Sequence, residues 1–286
     1  MLKNKTKTEK AYLFLIVGIT AMASASLIIR LTPAPPLAIA SYRLLIASSI
    51  LLIINHKNLK LPNDNRIILL FGGISLGIHF YSWISALFLT SVANAVVLVN
   101  TSPIFISLLT YIFEKKKPTK KFFLSFLLVT TGTALITSNH LSLNFGKGEI
   151  LSVIGAITFA VYLYIGRHLS ENINVSSYIT LVYLIAGISL FLITLIKKVP
   201  LTGYPLRIYF NFLLLALIPQ LIGHSSANYA IRILPPTSTS IILIGETVIA
   251  TLFAFIFLKE NLSLTQILGM MIIIIGILYS SLEKYS

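Results

Sequence analysis

The feature that most limits what this chain can fold into is a succession of ten apolar segments, roughly 11–30, 36–55, 66–88, 92–112, 121–138, 148–168, 175–196, 208–230, 236–258 and 263–282. A hydrocarbon core of about 30 Å takes about 20 apolar residues in helical form, and a helix satisfies its own backbone polar groups there. Every segment is of about that length. The gaps between them are short and hold breakers or charge, as in Thr32-Pro33-Ala34-Pro35-Pro36 and in Glu114 to Lys121, and none could hold a soluble domain. Only 10% of the residues are charged, against about 25% in an ordinary soluble domain. The expectation is an all-α membrane protein with ten transmembrane helices.

The net charge of +14 would suggest a nucleic-acid partner in a soluble protein. Here the Lys and Arg sit in the gaps, where they report topology and attraction to anionic lipid headgroups, so membrane lipids rather than nucleic acid are the expected partners. The chain has no cysteine, which excludes disulfides and thiolate metal sites. Residues 3–10, the following apolar run and Ala21-Met22-Ala23-Ser24-Ala25-Ser26 resemble a signal peptide with its cleavage site. Apolar character resumes at Leu27-Ile28-Ile29, and small residues also serve close helix packing, so the segment is expected to stay as the first helix. With the N-terminus inside, fifteen Lys and Arg fall on the cytoplasmic side, from Lys3 to Lys284, and six outside, namely Arg30, Lys147, Lys197, Lys198, Arg207 and Lys259. That bias predicts a cell-membrane protein with both termini cytoplasmic. Residues 150 onward show no such bias by themselves, so the first half decides it.

A shift of 144 residues lays Ala86–Leu135 over Ala230–Tyr279 without a gap. Ser102-Pro103 then falls on Glu246-Thr247, Phe113 on Phe257, Lys115 on Lys259 and Gly132 on Gly276, while Gly18 and Arg30 have the same separation as Gly155 and Arg167. Identity is close to chance for such composition, and the shared landmarks carry the repeat. The chain divides into 1–139 and 140–286, five helices each. An odd number per half inverts the second half in the membrane, as in many transporters that alternate access around a central site.

Glu246 is the only acid well inside a segment, and Arg43 the only cation. A charge at that depth costs roughly 2.5 kcal/mol or more, so such groups face a bundle interior or an aqueous cavity. Glu246 could exchange a proton, bind a cationic group of a solute, or simply pair with Arg43 as a packing device. Arg43, seven residues from its segment's end, could line a site or snorkel to the interface. The third helix of each half carries a histidine on a polar face: Ser75, His79, Ser82 and Trp83 in one, Gln220, His224 and Asn228 in the other. These faces suit cavity walls, although a neighbouring helix could equally satisfy each histidine. Asn100 lies beside Thr101-Ser102-Pro103, where proline frees a backbone carbonyl, and it suits packing as well as solute contact. Tyr162 and Tyr183 are the aromatics of segments six and seven that suit a cavity. No metal-ligand spacing and no catalytic or phosphate-loop signature is present, so neither a cofactor nor catalysis is expected.

Taken in order, Pro36 to Leu45, Ala95 to Glu114 with its Ser102-Pro103, Gly155 to Tyr162, and Ile244 to Gly276 with Lys259-Glu260 and Gln266-x-x-Gly269 resemble the EamA family of the drug/metabolite transporter superfamily. The resemblance implies ten helices in two inverted EamA units and a substrate cavity lined by both. Two departures stand out. The first helix has Thr20-Ala21-Met22-Ala23 where many members have a Trp and an Asn, and the ninth has Gly245-Glu246-Thr247 where a Glu-Pro pair is common, which predicts a weaker kink. The function expected is secondary transport of a small metabolite, an amino acid or related solute, by alternating access and in the export direction, with protons as a candidate coupling ion. A flippase for a lipid-linked headgroup is the alternative, and an intramembrane lipid enzyme a more distant one. Glu246, Arg43, His79, Trp83, Asn100, His224, Asn228 and Tyr162 are the candidate site residues.

Overall fold

The computed structural model describes residues 2–61, 65–138, 146–169, 173–259 and 261–282; Glu260, Lys284 and the expected repeat boundary at 139/140 lie outside them. Among the described residues ten helices are long and apolar enough to cross a membrane: α1 (Thr6–Arg30), α2 (Pro36–Asn55), α3 (Arg66–Leu89), α4 (Val92–Glu114), α5 (Lys120–Thr137), α6 (Lys147–Leu169), α7 (Val175–Ile196), α8 (Leu206–Ile231), α9 (Pro236–Phe257) and α10 (Leu264–Ser281). Among the described residues there is no strand. Large apolar side chains such as Phe71, Phe123, Leu127, Ile196 and Ile275 face outward, while Ser41, Ser125, Ser152, Thr180 and Thr194 are buried. An apolar exterior around a partly polar interior is the arrangement expected where the surroundings are hydrocarbon rather than water.

The repeat read from sequence holds residue for residue. Helix α4 breaks between Val92–Val99 and Ser102–Glu114, and α9 between Pro236–Leu243 and Glu246–Leu258. Both second halves end on a left-handed lysine, Lys115 at φ 58° and Lys259 at φ 55°. Thr119 and Ser263 then cap α5 and α10, each accepting a hydrogen bond from the backbone N–H three residues on. Each of these pairs is separated by 144 residues. The break in α9 is as definite as that in α4, although only α4 carries a proline beside it, which corrects the weaker kink expected there. Gly245 takes the role: it lacks a Cβ, is a poor helix former, and a side chain there would lie 3.0 Å from the Ile242 carbonyl.

Packing follows the same pseudo-symmetry. Helix α6 lies along α3 as α1 lies along α8, and α2·α7, α5·α10 and α4·α9 are self-paired contacts between the halves. The close crossings use small residues: a Cβ on Gly132 would meet the Gly269 carbonyl at 2.6 Å, and one on Gly223 would lie 3.3 Å from the Gly18 carbonyl. One departure from symmetry lies in α8, whose middle, Ala216–His224, is a π-helix containing Pro219. Proline removes a backbone donor and crowds the preceding turn, and the wider π turn accommodates both.

Candidate functional site

The halves meet around a cavity of about 520 Å³, its mouth included, lined by Met22, Ala25, Arg43, His79, Trp83, Val99, Asn100, Ser102, Phe159, His224, Ser240, Leu243, Ile244 and Glu246. Six of the eight residues expected from sequence are here: Glu246, Arg43, His79, Trp83, Asn100 and His224. Their convergence follows from the fold, because the helix breaks of α4 and α9 sit opposite one another at mid-bundle. Asn100 Nδ2 donates to Thr247 Oγ1 at 3.1 Å across those breaks. Glu246 occupies the first turn of the second half of α9, where the positive end of the half-helix favours a carboxylate.

Arg43 is fully buried, so it does not snorkel. Its Nε donates to Gln220 Oε1 at 2.7 Å, and its Cζ lies 4.1 Å from the centre of the Phe80 ring. Its Nη1 and Nη2 have no hydrogen-bond partner among the described residues. The packing alternative, a Glu246–Arg43 ion pair, is not formed: among the described residues the ion pairs are those of Glu114 with Lys116 and His168. Two opposite charges thus line one cavity without meeting.

The rings form a layer beside them. His79 stacks on Phe159 at 4.6 Å and runs parallel to Trp83 at 6.4 Å, and His224 meets Phe80 edge-on at 5.0 Å. His79 Nδ1 lies 2.9 Å from the Gly155 carbonyl. A carbonyl only accepts, so Nδ1 carries the hydrogen and Nε2 of the neutral ring is an acceptor. Unpartnered buried polar atoms concentrate here: besides those of Arg43 they include Trp83 Nε1, His224 Nδ1 and Gln220 Nε2.

Tyr162 and Asn228 do not line the cavity, against expectation. They lie one turn further toward the end of the bundle that holds Arg167, where Asn228 Nδ2 donates to the Tyr162 hydroxyl. Tyr162, Tyr178, Tyr183 and Asn228 are all 2% exposed or less, and Tyr183 donates to the Gln220 carbonyl at 3.4 Å. Beyond this layer two arginines bond backbone carbonyls. Arg167 Nη1 donates to Ile231 O at 2.9 Å and Leu234 O at 3.3 Å, and Arg232 Nη2 to Ile173 O at 2.6 Å. At the opposite end Arg30, the repeat mate of Arg167, is exposed and forms no hydrogen bond or ion pair with the described residues. There Glu149, the first-turn acid of α6, accepts from Thr90 Oγ1, from Asn94 Nδ2 at 2.8 Å and from Gly146 N at 2.9 Å.

Several lining residues were not singled out from sequence. Met22 and Phe159 are apolar residues in apolar helices, and only the Gly18/Gly155 correspondence, which pairs them, distinguishes them. Gln220 was legible as part of the polar face of α8, yet its role depends on the π turn, which has no sequence signal beyond Pro219.

The model of the EamA-like transporter family matches this chain twice, over residues 9–138 and 146–282. The chain belongs to the EamA-like transporter family. Membership makes it a multi-pass membrane transporter of the drug/metabolite type. Its similar proteins include an uncharacterized transporter of Bacillus subtilis, YyaM, 24% identical over 67% of this chain and 65% of that protein, so the match spans just under two thirds of that relative. An uncharacterized transporter of Archaeoglobus fulgidus is 23% identical over 97% of this chain and 99% of its own length. A solved crystal structure, described only as that of a protein, shares the fold with a TM-score of 0.82 at 15% identity, over 96% of this chain and 98% of its own.

Proposed function

We propose that this transporter moves a small polar or amphipathic metabolite, of amino-acid size, across the cytoplasmic membrane by alternating access, as an exporter. The observation that carries this reading is the cavity between the repeats, which Glu246 and Arg43 both line without pairing, and at which the buried Nη1 and Nη2 of Arg43 have no acceptor among the described residues. A solute with a cationic and an anionic group satisfies both, and a proton on Glu246 is the alternative way to neutralise the acid when the site is empty of solute. The aromatic layer of His79, Trp83 and Phe159 offers flat apolar surface for the rest of the molecule.

Alternating access is supported by the asymmetry between the ends. With both termini cytoplasmic, the Arg167 end is the inner one, and its clasp on Ile231 and Leu234 together with the tyrosine layer closes the cavity to the cytoplasm. The repeat assigns Arg30 the matching role at the outer end, toward the carbonyls of Leu87 and Thr90, which stand 144 residues before Ile231 and Leu234. Arg30 is disengaged, so the conformation is outward-open. In inverted-repeat carriers the other state is reached by exchanging such contacts between halves. The export direction rests on the analogy with the family.

The test is flux of an amino-acid and metabolite panel in proteoliposomes of known orientation, with wild type and Glu246→Gln, with and without a pH gradient. Wild-type movement of a solute, with loss of the gradient response in Glu246→Gln, supports a carrier coupled at Glu246. A mutant that transports and responds like wild type makes Glu246 structural and overturns its assignment.

A further inference from the structure

The guanidinium of Arg43 is held on two of its three sides. Gln220 Oε1 accepts from Nε at 2.7 Å, which fixes the in-plane direction, and the Phe80 ring covers one face with its centre 4.1 Å from Cζ. The remaining edge, Nη1 and Nη2, carries four N–H donors and has no acceptor among the described residues. A fully buried cation with an unfilled edge is unfavourable, and Glu246, the acid in the same cavity, does not fill it. That edge matches a carboxylate, whose two oxygens accept parallel hydrogen bonds from the guanidinium fork.

The wide turn over Ala216–His224 includes Gln220, and the Tyr183 hydroxyl donates to the Gln220 carbonyl at 3.4 Å, anchoring the backbone from α7. Single π turns are rare and recur at functional sites. Were Gln220 present only to satisfy a buried charge, its amide would be expected to use its own donors as well; Gln220 Nε2 is unpartnered. Its one side-chain hydrogen bond is the one that orients Arg43.

We propose that Gln220 is a positioning residue that aims the Nη1–Nη2 edge of Arg43 as a bidentate seat for a carboxylate of the transported solute, so that the carrier selects carboxylate-bearing substrates. The inference rests on the carrier reading above and adds to it a required chemical group.

The experiment measures binding by the full chain in detergent, as thermal stabilisation by a panel of L-amino acids and by their methyl esters, which keep shape and ammonium but lose the anion. Wild type should bind at least one acid tenfold or more tightly than its ester. Gln220→Leu and Arg43→Lys should reduce that acid-to-ester ratio toward one by weakening the acid alone, a change that a merely structural role would not produce, since it would weaken both alike. Gln220→Glu keeps an acceptor for Nε and neutralises the guanidinium, so it should fold and still lose the preference. Equal binding of acid and ester by wild type, binding of neither, or equal loss of both in Gln220→Leu overturns the carboxylate seat. Flux of uncharged or ester solutes in the same proteoliposomes would leave the carrier reading standing while this inference fails, whereas no flux of any solute counts against the carrier itself.

Discussion

Arg167→Met should shift the balance between the two conformations toward the inward-open one. The substitution keeps the aliphatic stem and removes the donors. Arg167 Nη1 makes one hydrogen bond of 2.9 Å to Ile231 O and a longer one of 3.3 Å to Leu234 O. The longer bond lies beyond the usual range and adds little, so the pair counts as one charge-assisted hydrogen bond, about 1.5–3 kcal/mol. It is made in one state only, so its loss changes the ratio of states by about 10- to 100-fold at 1.4 kcal/mol per decade. The chain has no native cysteine, so spin labels at Lys116→Cys, beyond the inner end of α4, and Thr237→Cys, at the start of α9, can report the opening by distance distributions in nanodiscs. The long-distance population should rise by that factor relative to the short one. Arg30→Met should do the opposite, because Arg30 clasps the outer end only in the other state. A ratio unchanged within about twofold for Arg167→Met, or the same direction of shift for both variants, would refute the exchange of clasps between the halves.

Other outcomes follow from the packing. Glu149→Ala leaves Thr90, Asn94 and the Gly146 N–H without their acceptor at a site 6% exposed; it should cost about 1–3 kcal/mol, read as a lower melting temperature in detergent, and an unchanged value would mean that this tie contributes nothing. Gly269→Ala puts a Cβ 2.6 Å from the Gly132 carbonyl, backbone that cannot step aside, so α5 and α10 must separate at a cost of about 1–3 kcal/mol; normal stability would show that the crossing is looser than described. Lys115→Gly and Lys259→Gly relieve left-handed backbone at φ 58° and 55°, and each should raise stability by about 1 kcal/mol, with equal gains at the two repeat-related turns. Asn100→Ala removes the 3.1 Å bond to Thr247 that ties the two helix breaks; transport should fall more than stability, and a loss of stability alone would make Asn100 a packing residue.

Much of this architecture is written in the order of residues. Ten apolar runs of membrane-spanning length admit only helices, because unpaired backbone groups are too costly in hydrocarbon. The 144-residue repeat needed only Ser102 over Glu246, Lys115 over Lys259 and Gly132 over Gly276 to be visible, and in the structure the same shift superposes helix breaks, left-handed lysines and caps. Glu246 and Arg43 were legible as residues of the polar interior for a related reason: a charge at that depth must have a polar destination.

What the residue order could not contain is which groups meet. Arg43 and Glu246 are 203 positions apart, and whether they pair depends on the rotation of α2 and α9 within the bundle, which hydrophobic periodicity leaves undefined in helices apolar on nearly every face. Tyr162 and His79 look alike as polar rings in apolar helices, yet one lies in the buried tyrosine layer and the other lines the cavity, a difference of about one helical turn in depth. Gln220 lies in the π segment of α8, and nothing in the residue order except Pro219 marks that segment. The sequence alone determined that this chain crosses a membrane as two five-helix halves around a polar centre. Only the packed structure decided that Arg43 and Glu246 line one cavity without pairing, because that depends on distances of a few ångströms between helices distant in the chain.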